Sequence, residues 1–151
     1  MKAITILILI IILNSCREKK IFDKPINQNE VVTMSNISNY DSITNLVKNK
    51  GDIVAYDELY YFLMDSNKED RTDTVMYYSK IMAEKYSNEK AYYDYFKAFC
   101  EKYSLYIDYS NFNKINLSKL PIQPRRTALE WLNKMLDKKI ITQQQYNSVK
   151  K

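Results

Sequence analysis

AYDELYYF at residues 55–62 and AYYDYFKAF at residues 91–99 decide the fold, because they open alike and begin 36 residues apart. In the first, Tyr56, Tyr60 and Leu63, with Ile53 ahead of them, fall at helical spacing and predict one apolar face over Asp52 to Met64. In the second, Tyr92, Tyr95, Phe96 and Phe99 do the same over Glu89 to Tyr103. A second pair of stretches, TVMYYSKIMAEK from Thr74 and ALEWLNKMLDKK from Ala128, aligns without a gap at an offset of 54 residues. The larger offset exceeds the first by 18. Two helical hairpins, with an insertion of that length inside the second, account for both.

Capping signals set the helix limits. Ile43, Leu46 and Val47 predict a short helix from Asp41 that Gly51 would close. Ser66 and Glu69 have capping-box spacing, predicting a helix from near Asn67 to Tyr86 with Val75, Tyr78, Met82 and Tyr86 inward. Ser87 and Asn88 offer the cap for the next helix. Arg125 and Arg126, after Pro124, would open a further one. Thr142 and Gln145 would cap a last short helix at the C-terminus.

Paired helices repeating every thirty-odd residues are the pattern of α-solenoids. GDIVAY at 51–56 and ALEWLNKM at 128–135 resemble the Sel-like branch of the tetratricopeptide family, whose second helix carries A-x-x-W-L-x-K-A. The resemblance runs from about Asn45 to Lys151. It implies an all-α domain over 41–151: two hairpins of a Sel-like, TPR-like α-solenoid, a long insertion loop and a short capping helix.

Missing residue types exclude several chemistries. The chain has no His, which removes the Ser/His/Asp and Cys/His arrangements and every His-containing zinc site. Its sole glycine, Gly51, leaves no glycine-rich phosphate loop or dinucleotide fingerprint. No cofactor and no metal is therefore expected. The net charge of +5 is spread along the chain and makes no case for nucleic acid. Cys100, within YDYFKAFCEKY, reads as a small buried hydrophobe.

The N-terminus says where the domain sits. Lys2 precedes an apolar run from Ala3 to Leu13 that ends at Asn14 and Ser15. Its length suits a signal-peptide core of about 7–15 residues and falls short of the roughly 20 that span a bilayer. Leu13, Asn14, Ser15 and Cys16 resemble the lipobox of bacterial lipoproteins. That resemblance implies removal of residues 1–15 and acylation of Cys16, palmitate among the chains. Several acyl chains, at about 0.8 kcal/mol per buried methylene, anchor stably. No acid follows Cys16 directly, which by the same resemblance implies the outer membrane, facing the periplasm. Residues 16–40, polar and aperiodic, read as a tether.

Candidate contacts lie on tyrosines and on the insertion. Tyr61, Tyr77 and Tyr93 each adjoin an inward aromatic, and tyrosine is enriched at interfaces; a helix facing two neighbours would equally bury them. Residues 104–123 are too apolar for a structureless loop, so they form either a packed cap or a binding loop anchored by Tyr106 and Tyr109. Arg125 and Arg126 are candidates to grip a carboxylate or phosphate. The function expected is a non-catalytic binding module, scaffold-, immunity- or inhibitor-like, whose partners are the bilayer and another envelope protein. The alternative is a lipoprotein that binds peptidoglycan, or cleaves glycan with carboxylates alone. Cleavage needs two carboxyl groups about 5–9.5 Å apart, with Glu58, Asp94 and Glu101 as candidates. Feeding cells a labelled fatty acid tests the anchor: the wild-type chain should carry label and Cys16→Ser should not. Label retained in the variant, or absent from the wild type, removes the lipoprotein reading.

Overall fold

The structure, a computed structural model, describes Ile37 and residues 39–151. The expected signal peptide, Cys16 and almost all of the tether lie outside the described residues. Among the described residues there are six α-helices: α1 Tyr40–Lys50, α2 Ile53–Asp65, α3 Arg71–Tyr86, α4 Glu89–Lys102, α5 Ile122–Asp137 and α6 Gln143–Ser148. Two single 3-10 turns, Phe112–Lys114 and Leu117–Lys119, lie between α4 and α5. Among the described residues there is no strand, only an isolated bridge of Asn116 with Lys150. None of these helices is long and apolar enough to cross a membrane.

The 36-residue echo is one corner built twice. Gly51 and Ser87 both adopt left-handed backbone, at φ 65° and 56°. Each directs its N–H back to a carbonyl of the helix it closes, Leu46 and Met82 respectively. The residues that follow, Asp52 and Asn88, then accept the N–H of Ala55 and Ala91 at 2.9 and 3.0 Å. Each corner thus satisfies the loose carbonyls of one helix and an orphan N–H of the next. The pairs Tyr56 and Tyr92, Tyr60 and Phe96, and Leu63 and Phe99 enter the core at equivalent turns, all buried.

Packing departs from two equal hairpins. The broadest helix–helix contact joins α3 to α4, across the second corner, while α4 meets α5 narrowly. Bulk explains the difference. Trp131 of α5 stacks on Tyr95 with ring centroids 3.7 Å apart, and its indole N–H donates to the Tyr92 carbonyl at 2.9 Å. These large side chains hold the two backbones apart, and the insertion fills the space that results.

The insertion is a packed cap. Phe112, Ile115, Leu117 and Leu120 are buried, and the chain's last residues pin it in place. Leu117 donates its N–H to the Lys150 carbonyl at 2.7 Å, and Lys150 donates to that of Ile115 at 3.0 Å. Val149 is buried beside this bridge. α6 has the expected capping box, Thr142 with Gln145.

Four expectations need correction. Ile53 does not face inward; it is 58% exposed, on the outer side of the first turn of α2, where Ala55 and Tyr56 are the buried residues. α3 starts at Arg71, not near Asn67, because the Ser66 hydroxyl donates to the Leu63 carbonyl and closes α2 instead of opening a helix. α5 begins before Pro124, whose missing N–H is harmless in a first turn. The core also reaches back past residue 41 to Tyr40 and Ile37, which were assigned to the tether.

The twin corners predict opposite responses. A Cβ at Gly51 would adopt left-handed backbone and overlap the Tyr86 ring, which is fixed by its hydroxyl donating to the Lys48 carbonyl at 2.8 Å. Gly51→Ala should cost about 2–4 kcal/mol in a urea titration. Ser87→Gly, relieving the same conformation at an open site, should stabilise by up to about 1 kcal/mol.

Candidate functional site

Two features stand out around the core, a buried polar junction and a groove at the surface. In the junction, Tyr56 of α2 hydrogen-bonds both Asp94 of α4, at 2.9 Å, and Ser79 of α3, at 2.8 Å. A phenol has one hydrogen and a carboxylate only accepts, so Tyr56 donates to Asp94 and Ser79 donates to Tyr56. Lys90, one turn before Asp94, reaches the same carboxylate at 2.7 Å. Its ammonium also lies 3.2 Å from Asp57, near enough for an ion pair though out of line for a hydrogen bond. Three rings surround it, Tyr60, Tyr56 and Tyr61, at 4.2, 5.2 and 5.5 Å from their centroids. Burial works against the charged Lys90, yet Asp94 and Asp57 outweigh it and raise its pKa above the ordinary lysine value. Burial, and then the charge of Asp94, push the Tyr56 and Tyr60 hydroxyls well above the usual phenol range.

The groove runs over α3 and on to α4 and α5. One depression of about 390 Å³ is lined by Tyr77, Lys80, Ile81, Glu84 and Lys85 of α3. A neighbouring one of about 270 Å³ shares Glu84 and adds Tyr92, Lys134, Asp137 and Lys138. Glu84 is the hinge between them, paired with Lys134 and 4.0 Å from Lys80. Lys134 also lies over the Trp131 ring at 5.3 Å, and Lys85 donates to the Lys48 carbonyl at 2.8 Å. Lys138 makes no ion pair among the described residues. Tyr77, Ile81 and Tyr92 supply apolar surface, and four lysines against two acids give the rim a positive balance. Such a site can take an apolar side chain flanked by anionic groups.

The candidate residues fall into three situations. Tyr77 lines the groove, its ring edge-on to Tyr78 at 5.0 Å. Tyr61 and Tyr106 are exposed, at 54% and 64%, with Tyr61 beside the Lys90 cluster and Tyr106 on the cap. Tyr93 and Tyr109 are tied into the fold: Tyr109 donates to the Tyr93 carbonyl, Tyr93 donates to that of Ile140 at 2.7 Å, and their rings meet edge-on. Arg125 is likewise internal, donating to the carbonyls of Ser118 and Leu120 at 2.9 and 2.8 Å. Arg126 stays on the surface, 3.0 Å from Glu130. Of the carboxylates weighed for catalysis, Asp94 is held in the junction, Glu101 is paired with Arg71, and Glu58 is exposed. Lys80, Glu84, Lys134 and Lys138 were missed, because Glu84 and Lys134, the pair that links α3 to α5, lie 50 residues apart in sequence.

No group of three or more potential metal ligands occurs among the described residues. Comparison with family models, curated proteins and solved structures returns no match.

The buried hydroxyls and thiol set an alkaline limit. Burial pushes Cys100 from 9.0 up to about 12, and it raises Tyr56, Tyr60 and Tyr109 from 10.0. The unfolded chain loses these protons first, so stability is complete below pH 9 and falls as the pH rises through the folded values. Urea midpoints measured against pH should begin to drop just above pH 9, and in Cys100→Ala the onset should move towards pH 10. A flat profile to pH 11 would contradict the burial of these groups.

Proposed function

We propose that this protein is a lipid-anchored bacterial envelope protein whose helical domain is a non-catalytic module that binds another envelope protein. The lipobox-like residues ending at Cys16 support the anchor and, with no acid directly after it, an outer-membrane location facing the periplasm. The order α2, α3, α4, insertion, α5, together with the GDIVAY and ALEWLNKM stretches, supports a Sel-like, TPR-like pair of hairpins. This reading takes in scaffold, immunity and inhibitor roles alike.

The observation that carries the binding reading is the groove at Tyr77. It joins apolar surface to a charged rim on three helices, and Tyr77 and Ile81 can anchor a partner while Glu84 and the lysines set its orientation. Contacts of this kind contribute most of the energy of an interface when truncation costs more than about 2 kcal/mol. Cross-linking the full chain in its native envelope, followed by mass spectrometry, tests it. A discrete protein should be captured by the wild type and lost from Tyr77→Ala and from Ile81→Glu, both of which should retain wild-type helicity. Recovery of nothing beyond lipid, or equal capture by both variants, overturns the reading.

A further inference from the structure

A third depression, of about 230 Å³, lies where the cap meets the last helix, lined by Ser110, Asn111, Phe112, Asn113, Gln144, Gln145 and Ser148. Not one of these side chains is charged, in a chain that is 27% Asp, Glu, Lys and Arg. The lining therefore offers a charged ligand no counter-charge of its own. Phe112 is buried, so the accessible lining is amide and hydroxyl, which suits an apolar ligand no better.

These polar groups are largely uncommitted. Among the described residues, the side chains of Asn111, Asn113 and Gln144 make no hydrogen bond, and Ser110 uses only its backbone N–H. Gln145 uses its carbonyl oxygen to accept the Thr142 N–H at 2.7 Å, which leaves its NH₂ group over. An amide side chain presents donors and an acceptor side by side. That pattern complements neighbouring hydroxyls, each of which both donates and accepts.

The walls are held before any ligand arrives. On the cap side, Asp108 accepts the Ser110 N–H and the Lys114 ammonium, both at 2.9 Å, and its carbonyl takes the Asn111 N–H at 3.0 Å. On the helix side, the Thr142 capping box fixes the first turn of α6. The Asn116–Lys150 bridge ties the two sides together. The backbone is then set in advance, and binding has only the amide side chains left to order.

From this arrangement we infer a subsite for a neutral saccharide unit, gripped through vicinal hydroxyls by Asn111, Asn113, Gln144 and Gln145. Its volume lies below the roughly 300–1,000 Å³ of sites that enclose drug-sized ligands, and matches one sugar ring better than a length of extended chain. The subsite is separate from the Tyr77 groove and stands or falls independently of it.

Side-chain NH₂ resonances of the full chain in detergent micelles read the proposal out directly. Glucose and N-acetylglucosamine are the probes, with triglycine as a neutral peptide control. At least one sugar should shift the signals of Asn111, Asn113, Gln144 and Gln145 saturably, while the Asn49 amide, bonded to Asn45 far from this site, stays still. Asn113→Ala with Gln144→Ala removes exposed groups that hold nothing in the fold, so the thermal midpoint should not change. Affinity for the sugar should fall about tenfold or more. No saturable shift with either sugar, an equal response to triglycine, or undiminished binding by the double variant would each overturn the assignment.

Discussion

A carboxylate buried among aromatic rings has to be answered by donors, and in this protein Asp94 imposes that condition on three helices at once. Tyr56 answers it from α2, Lys90 from its own helix, and Ser79 completes the set from α3 by donating to Tyr56. Apolar contact would allow these helices to slide, since tyrosine and phenylalanine rings tolerate many registers. Hydrogen bonds in a dry interior do not, because a displaced partner leaves a polar group unsatisfied at a cost of about 1–3 kcal/mol. The junction therefore fixes how α2, α3 and α4 meet, and the surface they present follows from that.

The twin corners and the cap extend this order outward. The Gly51 and Ser87 turns aim α2 and α4 so that equivalent rings reach the core, and the bulk of Trp131 then sets α5 at a distance. The groove is a result of that spacing, since Glu84 and Lys134 bridge the gap between α3 and α5. On the opposite flank the gap is closed by the insertion and locked by the bridge to Lys150, which leaves an amide-lined depression at the seam. Tyr93 and Tyr109 belong to this closure. The Tyr93 hydroxyl goes to the Ile140 carbonyl, in the irregular chain after α5, and the Tyr109 hydroxyl docks the insertion on α4 through the Tyr93 carbonyl.

Much of the fold was legible because its signals are local. Gly51, Asn88 and Thr142 act within one turn of their own positions, and the apolar stripes of α2 and α4 repeat at helical period. Ser66 misled because one hydroxyl can serve either the helix behind it or the helix ahead, and only the packed structure decides. Ile53 matched the stripe by spacing yet lies mostly exposed, while Ala55 and Tyr56 of the same turn enter the core. The sites were far less legible. Tyr77 was singled out for its neighbour in sequence, whereas the groove it lines joins Lys80 and Lys85 of its own helix to Lys134 of α5 and Lys138 just after it. Arg125 looked like an anion-binding group and instead holds the cap's carbonyls, a partnership that no spacing rule encodes.

The central claim is that the Tyr56–Asp94 bond couples helices that would otherwise pack independently. A double-mutant cycle with Tyr56→Phe and Asp94→Ala, measured by urea unfolding, addresses it most directly. The account predicts that the double variant loses less than the two single variants together, with a coupling of about 1–2 kcal/mol. Losses that simply add would show that the two side chains do not act as one unit and would contradict it.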